Sequence, residues 1–143
     1  MRRLTNCVLF MIVLMGVWVA NPSPATAQAP IELRCENATN PKGIKAPRPQ
    51  LSWAMNANVT LRGFQVLVAS SEEKLKADEG DLWDSGKVVP YAKTVQYRGK
   101  PLSSLQRCYW KVRIWGNYYS PTWYSEPATW QMGVLVFDGR EPK

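Results

Sequence analysis

Hydrophobic and polar side chains alternate along most of this chain, and the clearest case is Cys108-Tyr109-Trp110-Lys111-Val112-Arg113-Ile114-Trp115. Cys108, Trp110, Val112 and Ile114 form one set; Tyr109, Lys111, Arg113 and Trp115 form the other. A period of two describes a strand with one buried and one wetter face. β-Branched and aromatic residues suit such a pleated surface. The same pattern marks Ile31 to Cys35, Leu51 to Met55 with Trp53 inward, and Leu61 to Ser70 with Phe64, Val66 and Val68 on one side. Shorter stretches follow at Leu82 to Val88, with a tight turn near Ser85-Gly86, at Thr94 to Tyr97, and at Ala128 to Met132.

Between these runs the punctuation is Pro, Gly and Asn. Pro41-Lys42-Gly43 and Pro47-Arg48-Pro49 predict an extended loop with turns, and Gly116 to Pro121 predicts a hairpin loop. Ser70 to Lys76 is the one helix-like stretch, a serine cap followed by Glu-rich positions, halted at Asp78-Glu79-Gly80-Asp81. About seven short strands with frequent turns predict an all-β fold, an immunoglobulin or fibronectin type III-like β-sandwich of antiparallel strands.

The first 27 residues break from this pattern. Arg2 and Arg3 precede an apolar run from Cys7 to Ala20 of about 14 residues, signal-peptide length and short for a membrane span. Ala25-Thr26-Ala27 supplies a small-x-small cleavage site. The expected organisation is a signal peptide over 1–27, a sandwich over 28–136 and a polar tail over 137–143. The expected destination is the periplasm or the cell exterior, with no stable membrane span once the leader is cleaved.

Composition narrows the chemistry. With 143 residues, one domain is expected. Lys and Arg number 18 against 11 Asp and Glu, and losing Arg2 and Arg3 leaves an excess of five, spread along the chain without a run. That is a solvated basic surface rather than a nucleic-acid face. There is no histidine, so Ser-His-Asp and Cys-His catalysis and His-ligated metals are excluded within this chain. No cofactor and no metal site are expected.

In an exported chain Cys35 and Cys108 are candidates for a disulfide closing a loop of about 73 residues, worth roughly 4 kcal/mol in the chain-entropy model. The alternative is two buried free thiols. Asp78, Glu79, Asp81 and Asp84 are catalytic candidates by residue type only; they read as solvated acids at a helix end and a turn, and their spacing is not that of an EF-hand. The aromatic cluster Trp115, Tyr118, Tyr119, Trp123 and Tyr124 is the better functional candidate. Its rings either pack on the sandwich edge, dock a partner domain, or stack on a sugar.

Several segments together resemble a known family. They are Leu33-Arg34-Cys35-Glu36, Asn40-Pro41-x-Gly43-Ile44, Pro47-Arg48-Pro49-x-Leu51-Ser52-Trp53, Gln65 to Ser71, Asp81 to Val88, Arg107 to Arg113 and Trp123 to Gly133. In order and spacing they resemble the opening of bacterial α-L-rhamnosidases of glycoside hydrolase family 78. The resemblance implies the N-terminal fibronectin-like sandwich module of such enzymes. It also implies that catalysis lies in a separate (α/α)₆-barrel hundreds of residues further on, none of whose carboxylates maps onto a position here. Trp123-Tyr124-Ser125-Glu126 stands where a single Trp-Ser-Glu is usual, a departure that shifts the last turn by one residue. The resemblance therefore implies a non-catalytic module, as a truncated product, a gene fragment or a free-standing domain, whose partners are other domains of a rhamnosidase-like protein or a glycan.

Overall fold

The computed structural model describes residues 28–89, 93–117 and 120–136. The expected signal peptide over 1–27 and the tail over 137–143 lie outside the described residues. Among the described residues, seven strands and one short helix run in the order β1 (Ile31–Cys35), β2 (Gln50–Ala54), β3 (Gly63–Ala69), α1 (Glu72–Lys76), β4 (Trp83–Asp84), β5 (Thr94–Gln96), β6 (Arg107–Trp115) and β7 (Ala128–Gln131). They build a three-stranded sheet, β1-β2-β5, and a four-stranded sheet, β4-β3-β6-β7. Every pairing between named strands is antiparallel. This is the sandwich that the alternating pattern predicts.

The longest strand, β6, organises the core. Its inward set, Cys108, Trp110, Val112 and Ile114, is fully buried, and it lies in register with β3 from Gly63↔Trp115 to Ala69↔Tyr109. Opposite sit Leu33 and Cys35 of β1 and Leu51 and Trp53 of β2, in one continuous cluster with Phe64, Val66 and Val68. Aromatic edges lock the two layers: Trp53 meets Phe64 at 5.1 Å, and Tyr97 meets Trp83 at 5.5 Å and Trp130 at 5.9 Å. A smaller cluster forms on the outer face of β3, where Leu67 and Ala69 are covered by Leu75 of α1. That helix starts where a serine should cap it, with the Ser71 hydroxyl accepting from the Lys74 amide.

Two irregular segments matter for the surface. After β1 the chain crosses to the edge of β7, where Pro41 O accepts from Gln131 N at 2.9 Å and Ile44 O from Gly133 N at 2.8 Å. An edge that would otherwise invite a foreign strand is thereby covered. The stretch read as a strand from Leu82 to Val88 is broken at Ser85-Gly86, as its turn signal implied. Gly86 has φ +59, and the Ser85 hydroxyl accepts from Val66 N at 2.8 Å.

Candidate functional site

Two of the candidate rings, Trp115 and Tyr124, lie at the outer face of the four-stranded sheet. Strand alternation sends Tyr109, Lys111, Arg113 and Trp115 of β6 to that side, opposite the core set. The chain then turns back alongside β6: Trp115 bridges Pro121, and Thr122 N and Ser125 N donate to Ile114 O and Val112 O, each at 2.8 Å. In return the Thr122 and Ser125 hydroxyls, both 3.1 Å away, accept from Ile114 N and Val112 N. Hydroxyls stand where strand carbonyls would be, so residues 122–127 follow β6 without forming a strand. This detour presents Tyr124 to the sheet.

The result is an alternating stack of cations and rings. Lys87 Nζ lies 4.9 Å from the Trp115 centroid, and Arg113 Cζ lies 5.3 Å from Trp115 and 4.8 Å from Tyr124. Lys111 Nζ follows at 4.5 Å from Tyr124 and ends the stack in an ion pair with Asp78. Gln65 fixes Arg113, its Oε1 accepting from Nε at 2.9 Å and Nη2 at 2.7 Å, while its Nε2 donates to Asp84 at 2.8 Å. Each cation–ring contact is worth about 0.5–1 kcal/mol when exposed and more when desolvated. Burial raises the Tyr124 hydroxyl pKa; Arg113 opposes that rise, and Asp78 and Asp84 add to it.

This geometry divides the candidate cluster. Trp115 and Tyr124 are half-buried and have cations over their rings, so they are structural parts of the sheet face rather than open platforms. Trp123 stands apart and is 82% exposed. Tyr118 and Tyr119 lie outside the described residues. Sequence reasoning missed Lys87, Lys111, Arg113 and Gln65 as members; the signal was there in the alternation of cations with Tyr109 and Trp115 on one strand face. Lys111 corrects the expectation of a wet outer set, because Asp78 and Tyr124 enclose it to 9% exposure.

The acidic candidates do not converge. Asp78 pairs with Lys111. Asp84 accepts from Gln65 and, at 2.8 Å, from Gly86 N. Asp81 accepts from Ser70 N at 2.9 Å and Ser70 Oγ at 2.6 Å, and from Lys74 Nζ at 3.1 Å. Partial burial works to raise the Asp81 pKa, but these bonds outweigh it and hold the carboxyl at about 2. Glu79 is exposed. Among the described residues no group of three or more His, Cys, Asp or Glu gathers to hold a metal.

Two shallow grooves lie among the described residues. One of about 320 Å³ lies between β1 and the β7 side, lined by Ile31, Glu32, Asn40, Glu126 and Pro127 among others. Its two carboxylates are exposed, and Glu32 faces Arg34 at 3.9 Å. The other, of about 170 Å³, lies under Tyr124 between Glu72, Lys76 and Lys111. Neither offers a carboxyl withdrawn from water, as a general acid requires.

Cys35 and Cys108 are both buried, and in this structure both are free thiols, so the bridge weighed above is not formed here. They point into the core from opposite sheets. Burial pushes each thiol up to about 12; neighbouring Glu36 and Cys108 add to the rise at Cys35, and Asp81 adds to it at Cys108.

Against known proteins, residues 30–136 match the family described as Rha78A-like, N-terminal immunoglobulin domain. An α-L-rhamnosidase of Formosa agariphila is 38% identical over 101 residues, covering 68% of this chain and 11% of that protein. An α-L-rhamnosidase of Streptomyces avermitilis is 38% identical over 104 residues, covering 70% of this chain and 10% of its own. The solved structure of an α-L-rhamnosidase from Dictyoglumus thermophilum superposes with a TM-score of 0.72 at 33% identity, over 76% of this chain and 12% of that one. The chain thus spans about a tenth of the length of these relatives. With two antiparallel sheets and the family match running through every strand, the chain belongs to the Rha78A-like N-terminal immunoglobulin domain family.

Proposed function

We propose that this chain is a non-catalytic β-sandwich module of an exported rhamnosidase-type protein, and that it serves by packing against neighbouring domains. The observation that carries the reading is the extent of the match: residues 30–136 correspond to an N-terminal immunoglobulin domain and to a tenth of the relatives, not to their remainder. The scattered acids support it, since a glycosidase needs two carboxyl groups held across one sugar. The charged start, apolar run and small-x-small site in residues 1–27 support export. Among the described residues no helix is long and apolar enough to cross a membrane. Such a module works either within a longer polypeptide or as a free-standing copy.

One observation favours a second reading. Trp123 is a large, flat ring left open to solvent, the kind of surface on which a sugar stacks. Titrating the purified chain with L-rhamnose and rhamnose-containing glycans, while following tryptophan fluorescence and assaying an aryl α-L-rhamnoside, separates the readings. The module reading expects neither a saturable signal nor turnover. A saturable signal that Trp123→Ser abolishes establishes a carbohydrate-binding module instead. Turnover that survives repurification overturns both.

A further inference from the structure

At the end of β6 remote from Trp123, the loop before β6 meets the segment after β7. Leu105, Val134 and Val136 are exposed there by 61%, 63% and 87%. Single exposed aliphatic residues are ordinary on a soluble domain. These three differ in how they are held. Leu105 N donates to Gly133 O at 3.1 Å, Gln131 Nε2 donates to Leu105 O at 3.3 Å, and Leu135 N donates to Ser104 Oγ at 2.8 Å. The two segments are thus laced side by side. Leu135 packs against the core, so Val134 and Val136 fall on the opposite, outer side of the same extended segment.

Leu105 also has φ +63, a region where a side-chain-bearing residue is disfavoured. The other non-glycine residues with positive φ, among the described residues, are Glu32, Glu36, Asn37, Asn40 and Asp78, all polar. At Leu105 an aliphatic side chain is held outward in a strained backbone, with both its N–H and its C=O bonded to the neighbouring segment. Such an outlier points to a function for the side chain. The surroundings agree: residues 101–106 and 131–136 contain no charged residue, in a chain that is 20% charged. Depletion of charge is what the centre of a protein interface shows.

What covers this patch follows from where the family domain stops. The match to the N-terminal immunoglobulin domain ends at residue 136, inside the patch, while the relatives continue far beyond it. The polypeptide that follows the family domain in such a protein therefore leaves from within the patch, which puts these side chains beside whatever comes next. Resting on the module reading above, we propose that Leu105, Val134 and Val136 form the docking surface for an apolar face of the domain that follows in rhamnosidase-type proteins.

The test uses the full chain and, as partner, the Streptomyces avermitilis α-L-rhamnosidase with its matching N-terminal segment deleted, with binding measured by sedimentation velocity. Leu105→Asn removes the aliphatic group and leaves a residue that accepts positive φ. Leu105→Asn and Val134→Ser are each expected to weaken binding tenfold or more, with the thermal midpoint of Leu105→Asn unchanged or raised and Trp123→Ser binding like the parent. The proposal is overturned if the parent chain does not bind, if Leu105→Asn binds equally well, or if the chain alone dimerises through Leu105. Binding lost in Trp123→Ser but kept in Leu105→Asn would move the docking face and leave the module reading standing. Rhamnoside turnover by the chain itself would remove that reading.

Discussion

Asp78→Asn isolates Lys111, the most enclosed charged side chain among the described residues. Lys111 is 9% exposed, and its ammonium pairs with Asp78, which is itself exposed. Losing one partner of a fully buried pair costs about 3–5 kcal/mol, and losing one of an exposed pair costs about 0–1. This pair lies between, and the ring of Tyr124 at 4.5 Å still stabilises the orphaned ammonium. A loss of about 1.5 kcal/mol follows. Asn is the informative substitution because Asp78 has φ +58, which Asn tolerates and Ala does not, so the change reports charge and not backbone strain.

Lys111→Met should behave differently. It keeps an apolar stem over Tyr124 and removes the need for a counter-charge, so it is expected within about 0.5 kcal/mol of the parent. In Lys111→Met the further change Asp78→Asn should cost little, giving a coupling near 1.5 kcal/mol in a double-mutant cycle. Urea denaturation measures each corner, and for a domain of this size about 1 kcal/mol shifts the thermal midpoint by roughly 4–8 °C. The reasoning is refuted if Asp78→Asn is neutral while Lys111→Met costs 2 kcal/mol or more. The ring of Tyr124, and not the carboxylate, would then be what holds the ammonium.

Three further outcomes are expected. Asp81 is held at about 2 against an ordinary 3.8, so its stabilisation is present above pH 4 and is lost as pH falls toward 2. The gap between the parent and Asp81→Asn, on the order of 1 kcal/mol at pH 6 after allowing for solvent screening, should close over that window in urea titrations. Gly99→Ala would place a methyl group within 2.5 Å of Trp83 Cβ and the Tyr97 hydroxyl, and closer still to Leu82 O, so a loss of about 2–3 kcal/mol in denaturant midpoint is expected. Thiols raised to about 12 and buried should resist labelling in the native chain, and both Cys35 and Cys108 should react once urea unfolds it; failure to label in urea without reductant would show that they are bonded.

Where a residue's environment is set by its own strand, the sequence was readable. Cys108, Trp110, Val112 and Ile114 are inward because alternation leaves no other choice once one of them is buried, and a one-residue slip would reverse all four. Ser71 caps α1 for an equally local reason. The stretch from Thr122 to Pro127 was not readable in this way. Whether it becomes a strand depends on which acceptors face Ile114 N and Val112 N, and two hydroxyls took those places. Strand propensity says nothing about that competition.

The same distinction explains why the candidate site split. A count of rings near a hairpin treats Trp115, Trp123 and Tyr124 as equals, but a ring serves as a platform only if its face is free. That is decided by residues far away in sequence: Lys87 from the turn after β4, and Arg113, itself oriented by Gln65 of β3. Once those cations lie over Trp115 and Tyr124, a sugar would have to displace them and break the Arg113–Gln65 pair as well. Trp123 carries no such cost, so any glycan contact among the described aromatic residues of this loop falls on it. An open ring near one end of β6 and a strained, uncharged aliphatic patch at the other give the domain two unlike surfaces, and the substitutions Trp123→Ser and Leu105→Asn address them one at a time.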